Sequence, residues 1–247
     1  MMNGIKSALA CLALAAAGTA GAASAATTTF SNGDEGWIGN AEVDASIGAP
    51  APGFHSLVEN FGLTWRNSTN PDFIGDYTAT LDLTISLDVL TNSISFAGTE
   101  VSRGMFVWLT DIGDPADFTD DVSLVYQLGT LSSDLGDWQH LAVTIADTRA
   151  VALPTGWIGV DGDGNTALPA GRSFSDVLAH VGEITFSTYE PGYFYGFTDF
   201  DVVGDNFTVA RGTTAAVPEP ASWAMMILGL GAVGASLRRR RIGVTFA

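Results

Sequence analysis

Oxygen-bearing side chains stand at alternate positions in Asp161-Gly162-Asp163-Gly164-Asn165, the spacing with which a calcium loop opens. An EF-hand loop continues with glycine at its sixth position and a bidentate acid at its twelfth. Here those places hold Thr166 and Arg172. The segment supports two expectations: a calcium ion held by Asp161, Asp163 and Asn165, or a tight turn built from Gly, Asp and Asn without metal. A calcium ion there would stabilise the loop and would catalyse nothing.

A second group of residues suits sugar recognition. Tyr189, Tyr193, Phe194, Tyr195 and Phe197 gather around Pro191-Gly192 and Gly196. Rings exposed by such a loop can stack on pyranose faces, with Asp199 or Asp201 accepting hydroxyl protons. Tyr189, Tyr193, Tyr195 and Asp199 are therefore the expected ligand residues, and the competing expectation is a loop folded back onto the core.

No catalytic residues are expected. His55, His140 and His180 are scattered, with neither an H-x-x-x-H nor an H-E-x-x-H spacing, so no metal centre or triad follows. No G-x-S-x-G is present, and an activated serine has no visible partners. Glycoside hydrolysis needs two carboxylates flanking one bond, and the body offers only Glu35, Glu42, Glu59, Glu100, Glu183 and Glu190, without an E-x-D-x-E strand motif. The body is expected to be non-enzymatic, the alternative being a secreted carbohydrate-active hydrolase on a β-sandwich scaffold. The single cysteine, Cys11, lies in the N-terminal apolar run, so disulfides, zinc thiolates and a cysteine nucleophile are excluded from the body.

The charge narrows the partners. Between residues 26 and 217 there are five arginines (66, 103, 149, 172 and 211), no lysine and twenty-six acids, a formal charge of −21. Such a surface repels phosphate backbones and anionic headgroups, which excludes nucleic acid as a partner, and it attracts cations. With 47% hydrophobic and 15% charged residues, the chain is not a disordered one.

Both ends of the 247-residue chain read as targeting segments. Lys6 provides a positive start, the stretch 8–17 is apolar, and Ala23-Ser24-Ala25 forms an A-x-A-like cleavage site. The expectation is a signal peptide over 1–25, read by the Sec export machinery and signal peptidase. At the other end Pro218-Glu219-Pro220 precedes Trp223-Ala224, an apolar run through Leu237 and Arg238, Arg239, Arg240 and Arg241. Seventeen residues, 221–237, span about 25 Å as a helix, the lower limit for crossing a bilayer. Prolines suit a first helical turn, and the arginine run belongs in the cytoplasm, with the acidic body on the opposite side.

Tripeptide, helix and arginine run in this order resemble the PEP-CTERM sorting domain in its variant with Trp-Ala after the PEP triplet. The resemblance implies a Gram-negative source, an inner-membrane-anchored precursor, recognition and cleavage by exosortase, and a final place at the cell surface or outside the cell. It also implies company with exopolysaccharide and biofilm, so that exopolysaccharide is an expected partner of the body.

The residues between the ends must position any site, and their pattern is that of strands. In residues 80–89 Leu81, Leu83, Ile85, Leu87 and Val89 alternate with polar residues, which predicts a half-buried strand. Similar runs occupy 93–96, 105–109, 123–128, 140–145, 183–188 and 206–209, separated by Gly, Pro, Asn and Asp clusters such as 111–115 and 161–165. Only 173–181 reads as a helical turn or two, capped by Ser173 or Ser175. The expected fold is all-β, a jelly-roll-like antiparallel β-sandwich over 26–212 with a linker at 213–217 and the sorting signal at 218–241. The segments 70–77, 174–178 with 184–189, and 205–209 resemble the laminin B (laminin IV type A) jelly roll. The opening 30–37 fits a first strand of that kind. For Trp37, Phe73 and Trp157 packing is the favoured role.

Overall fold

The computed structural model describes residues 24–132 and 136–212. The signal segment to residue 23, the linker, the sorting motif and the helix expected at 221–237 lie outside the described residues. Among the described residues no helix is long and apolar enough to cross a membrane.

The strands run in order β1 (Ser24–Thr28), β2 (Trp37–Gly39), β3 (Glu42–Asp44), β4 (Gly53–Asn60), β5 (Thr64–Asn67), β6 (Leu83–Phe96), β7 (Thr99–Glu100), β8 (Arg103–Asp111), β9 (Val122–Leu131), β10 (Gln139–Ile145), β11 (Trp157–Asp161), β12 (Val181–Ser187) and β13 (Thr198–Arg211). A first sheet orders β10-β6-β13-β4-β3, with β1 joined to β13 and β7 to β6. A second orders β11-β9-β8-β12-β5-β2. Every pairing is antiparallel. This is the expected all-β sandwich.

Alternation decides which residues fill the space between the sheets. Leu83, Ile85, Leu87 and Val89 of β6 are fully buried, as are Val107 and Leu109 of β8 and Ile184 and Phe186 of β12. Leu81 departs from the expectation: it is 42% exposed, because the strand begins at Leu83 and Leu81 belongs to the preceding turn. The core is aromatic around Phe207, whose ring meets those of Phe30, Trp37, Phe54, Trp65 and Phe186 at centroid distances of 4.7–6.5 Å. Trp37, Phe73 and Trp157 are all buried, as their packing role requires.

The segment 30–37 is not a strand until Trp37. Phe30 and Glu35 adopt φ of 56° and 50°, left-handed values that turn the chain. The helical turn is α1 (Phe174–Leu178). Ser173 caps it, accepting from Asp176 N while the Asp176 carboxylate accepts from Ser173 N. This reciprocal pair is a capping box.

Strand β13 organises the first sheet. Along one edge it pairs with β6. Along the other, Thr198–Gly204 pair with β4 and Phe207–Arg211 with β1. Between those halves Asn206 takes φ 51° and the register shifts. The loop before β4 docks there, with Ala49 N donating to Asp205 Oδ2 at 2.6 Å and Asn206 Nδ2 donating to Ala49 O at 2.9 Å. Burial pushes the Asp205 carboxyl above its usual range.

Chain entry and exit share one end of the sandwich, because Ser24 stands opposite Arg211. The sandwich begins two residues before the expected residue 26. A signal cut after Ala25 would leave residues 26–28 of β1 on β13.

Candidate functional site

The tyrosine-rich loop 189–197 closes the end of the sandwich opposite to chain entry, since it leads directly into Thr198 of β13. On the outer face of the first sheet β4 and β13 face each other as Leu57 with Asp201 and Glu59 with Asp199, while the next pair, Asn60 with the buried Thr198, turns inward. Phe61 and Phe197 are the next pair beyond that register, and their rings meet at 3.9 Å between centroids. Phe61 also meets Phe194 at 4.8 Å. The rings remain open to solvent: Tyr193 is 59%, Phe194 71% and Phe197 54% exposed. Phe96, the last residue of β6, lies under Gly196, where a side chain would meet its ring at 2.5 Å.

Beneath this patch the loop is anchored. The Tyr195 ring meets that of Tyr193 at 4.6 Å, tilted by 55°, and the Arg103 guanidinium lies 4.3 Å from the centre of the Tyr195 ring. Arg103 donates to Ser102 O and Thr198 Oγ1, both at 2.9 Å. Tyr195 OH donates to Glu190 Oε2 at 2.6 Å. That bond, with burial second, holds the phenol in its protonated form and pushes its pKa up to about 12. The expected ligand residues thus separate into roles. Tyr193 is open, Tyr195 is covered by Arg103, and Asp199 stands beside Phe197 on the outer face of the first sheet.

Tyr189 belongs elsewhere. Its ring lies against Gly62, and it borders a groove of about 280 Å³ on the outer face of the second sheet. Strand alternation places Arg66, Thr185 and Trp108 side by side on the groove floor, because Trp65, Phe186 and Val107 point inward. Arg66 Nη1 is 3.7 Å from Glu183 Oε2, and Thr185 Oγ1 donates to Glu183 Oε1 at 3.0 Å. Trp108 Nε1 is buried with no hydrogen-bond partner among the described residues.

A further cluster escaped the sequence reading. His55 of β4 lies between Asp44 of β3 and Asp201 of β13, with Nδ1 3.1 Å from Asp44 Oδ2 and Nε2 2.8 Å from Asp201 Oδ1. Asn92 Nδ2 also donates to Asp201 Oδ1 at 2.9 Å. The partners are 11 and 146 residues from His55 in sequence, so no local spacing could disclose them. Diagonal positions on adjacent strands bring them together.

The segment 161–165 is a closed turn. Asp161 N donates to Asn165 O at 3.1 Å, and Asp161 Oδ1 accepts from Asn165 N at 2.8 Å. Asn165 Nδ2 donates to Asp161 Oδ2 at 2.9 Å, and these bonds lower the Asp161 pKa. Asn165 therefore presents a donor to Asp161. Among the described residues no group of three or more His, Cys, Asp or Glu side chains is gathered as for a metal ion.

Comparison with known proteins decides the question of sorting. Residues 216–241 match the model of the PEP-CTERM protein-sorting motif. The chain carries a PEP-CTERM sorting signal. The match contains Pro218-Glu219-Pro220, Trp223-Ala224 and all four terminal arginines. The PEP-CTERM signal implies an exported protein that an exosortase processes at the membrane. No curated protein matches the chain.

Among solved structures the PEP-CTERM chain is similar to three carbohydrate-active proteins. The CBM22-1–GH10 modules of Clostridium thermocellum xylanase 10B, complexed with xylohexaose, match at 11% identity and TM-score 0.45, over 76% of this chain and 28% of that one. A carbohydrate esterase of the Shiga toxin-encoding bacteriophage phi24B matches at 16% and 0.39, over 76% of this chain and 100% of that one. An exo-β-agarase matches at 12% and 0.39, over 75% of this chain and 25% of that one. The chain thus spans about a quarter of the length of the xylanase and of the agarase. Of the two expected resemblances the sorting motif is shown and the laminin B one is not.

Proposed function

We propose that the sandwich is a non-enzymatic polysaccharide-binding module of an exosortase-processed surface protein, acting on exopolysaccharide in a biofilm. In this reading residues 1–25 direct export, the helix 221–237 anchors the precursor in the inner membrane, and exosortase cleavage delivers the body to the surface or beyond. The observation that carries the binding role is the set of outward rings. Tyr193, Phe194 and Phe197 are each more than half exposed, Phe194 and Phe197 held by Phe61 and Tyr193 by Tyr195 instead of sinking into the core. Large apolar rings held at a surface mark an interaction site, and flat rings beside Asp199 suit sugars, which combine apolar ring faces with hydroxyl donors. The groove bordered by Tyr189, with Trp108 on its floor, can receive the continuation of a polymer chain.

A glycan array probed with the purified full-length chain tests the proposal. Binding that weakens when Phe194→Ala or Phe197→Ala is introduced supports it, and silence toward every glycan overturns it. Hydrolysis of a bound polymer, abolished by Asp199→Asn, would instead favour the secreted hydrolase.

A further inference from the structure

The surface around the rings also indicates the chemistry of the sugars, an inference that rests on the polysaccharide reading. One step below the Phe61–Phe197 pair, on the same outer face, Glu59 of β4 stands directly opposite Asp199 of β13. Asp199 stands opposite Ser95 of β6, and Ser95 opposite Glu100 of β7. Three carboxylates therefore share one row across four strands. Like charges directly opposite each other destabilise a sheet, yet none of the three joins an ion pair among the described residues. Ser95 Oγ donates to Asp199 Oδ2 at 3.3 Å, and a serine brings no positive charge. Glu190 adds a further carboxylate where the loop begins. Arg103, the arginine packed against Tyr195, is only 8% exposed, and Arg66 lies on the outer face of the other sheet beside Glu183.

The patch thus combines open rings, a row of uncompensated negative charge and a body at −21. A polymer of uronate or sulfated sugars meets repulsion there. An uncharged polymer leaves the acidic row as it is. We propose that the surface binds a polysaccharide whose sugars carry protonated amino groups, with pyranose faces on Tyr193, Phe194 and Phe197 and ammonium groups on Glu59, Asp199 and Glu100. Ammonium–carboxylate hydrogen bonds are charge-assisted and relieve the opposed acids.

Titration calorimetry on the full-length chain, with hexasaccharides of glucosamine, N-acetylglucosamine and galacturonate, and with hexalysine as a cation lacking sugar rings, tests this. The glucosamine hexamer is expected to bind at least tenfold more tightly than its N-acetyl counterpart, and the galacturonate hexamer to give no heat. Glu59→Gln combined with Asp199→Asn should remove the tenfold preference, and Phe197→Ala should weaken both amino-sugar ligands. The double variant removes a like-charge opposition on an exposed surface, so its fold is retained, and an unchanged melting temperature checks this. Equal or tighter binding of the N-acetyl form overturns the amino-sugar assignment while leaving the polysaccharide reading intact. Hexalysine binding as tight as glucosamine, together with indifference to Phe197→Ala, overturns the assignment in favour of bare charge attraction. Failure of the polysaccharide reading itself has a separate signature, the silent array described above.

Discussion

His55 Nε2 lies 2.8 Å from Asp201 Oδ1 while the opposite ring nitrogen lies 3.1 Å from Asp44 Oδ2. A neutral imidazole has one N–H and would turn a lone pair toward one of these carboxylates, whereas imidazolium donates to both. Burial opposes the charge, but the hydrogen bonds to Asp201 and then Asp44 outweigh it and raise the His55 pKa. The clasp joins β3, β4 and β13.

A histidine whose pKa is raised on folding stabilises fully below its unfolded value, about 6.5, and loses that contribution as pH rises through the folded value. Asp44 behaves oppositely. Bonds from the Ser46 hydroxyl and backbone, then from His55, hold its pKa at about 2, so its contribution is present above the ordinary carboxylate value and fades as pH falls through about 2. Thermal melts across pH are expected to show a fall above about 6.5 that His55→Gln lacks. Parallel curves for the two proteins would remove His55 from the response.

For the turn at Asp161, calcium and magnesium at matched ionic strength are expected to raise the melting temperature equally. Asn165 already occupies the Asp161 carboxylate through two donors, so both ions act on the net charge alone. A larger shift with calcium, erased by Asp161→Ala with Asp163→Ala, would mean that the oxygens regroup around the ion.

Replacing Phe207 by alanine removes one ring from contact with five others. The expected loss of stability is roughly 3–5 kcal/mol, the usual range for a buried phenylalanine. Denaturant unfolding measures it, and a loss below about 1 kcal/mol would show that the surrounding rings collapse into the space.

Deletion of residues 218–220 is expected to leave a full-length, membrane-associated species in cells that possess exosortase. Fractionation with a tag in the sandwich reads the result, and normal release of the variant would assign processing to another signal.

Some of this architecture is legible in sequence. The alternation of Leu83, Ile85, Leu87 and Val89 identifies β6 because one face meets the core and the other does not. The same rule hides β4, where Ser56 points inward and Leu57 outward: Ser56 is buried because its hydroxyl accepts from Trp65 Nε1 at 2.8 Å, and Leu57 is 75% exposed. The ring-bearing loop was visible as composition. Its partners Phe61 and Phe96 were not, because they reach it through strand pairings that link distant parts of the chain. The same separation concealed the opposition of Glu59 and Asp199.

The two-sided pairing of β13 has a mechanical consequence. Its 14 residues run about 45 Å from the ring-bearing end to the exit that leads to the sorting signal. Tension between a polymer held at the rings and the tail beyond Arg211 would therefore pass along the axis of this one strand. Antiparallel hydrogen bonds lie perpendicular to such a pull, so those to β6, β4 and β1 would be sheared together instead of opening one after another. The step at Asn206 is where that load would pass from the β4 pairing to the β1 pairing.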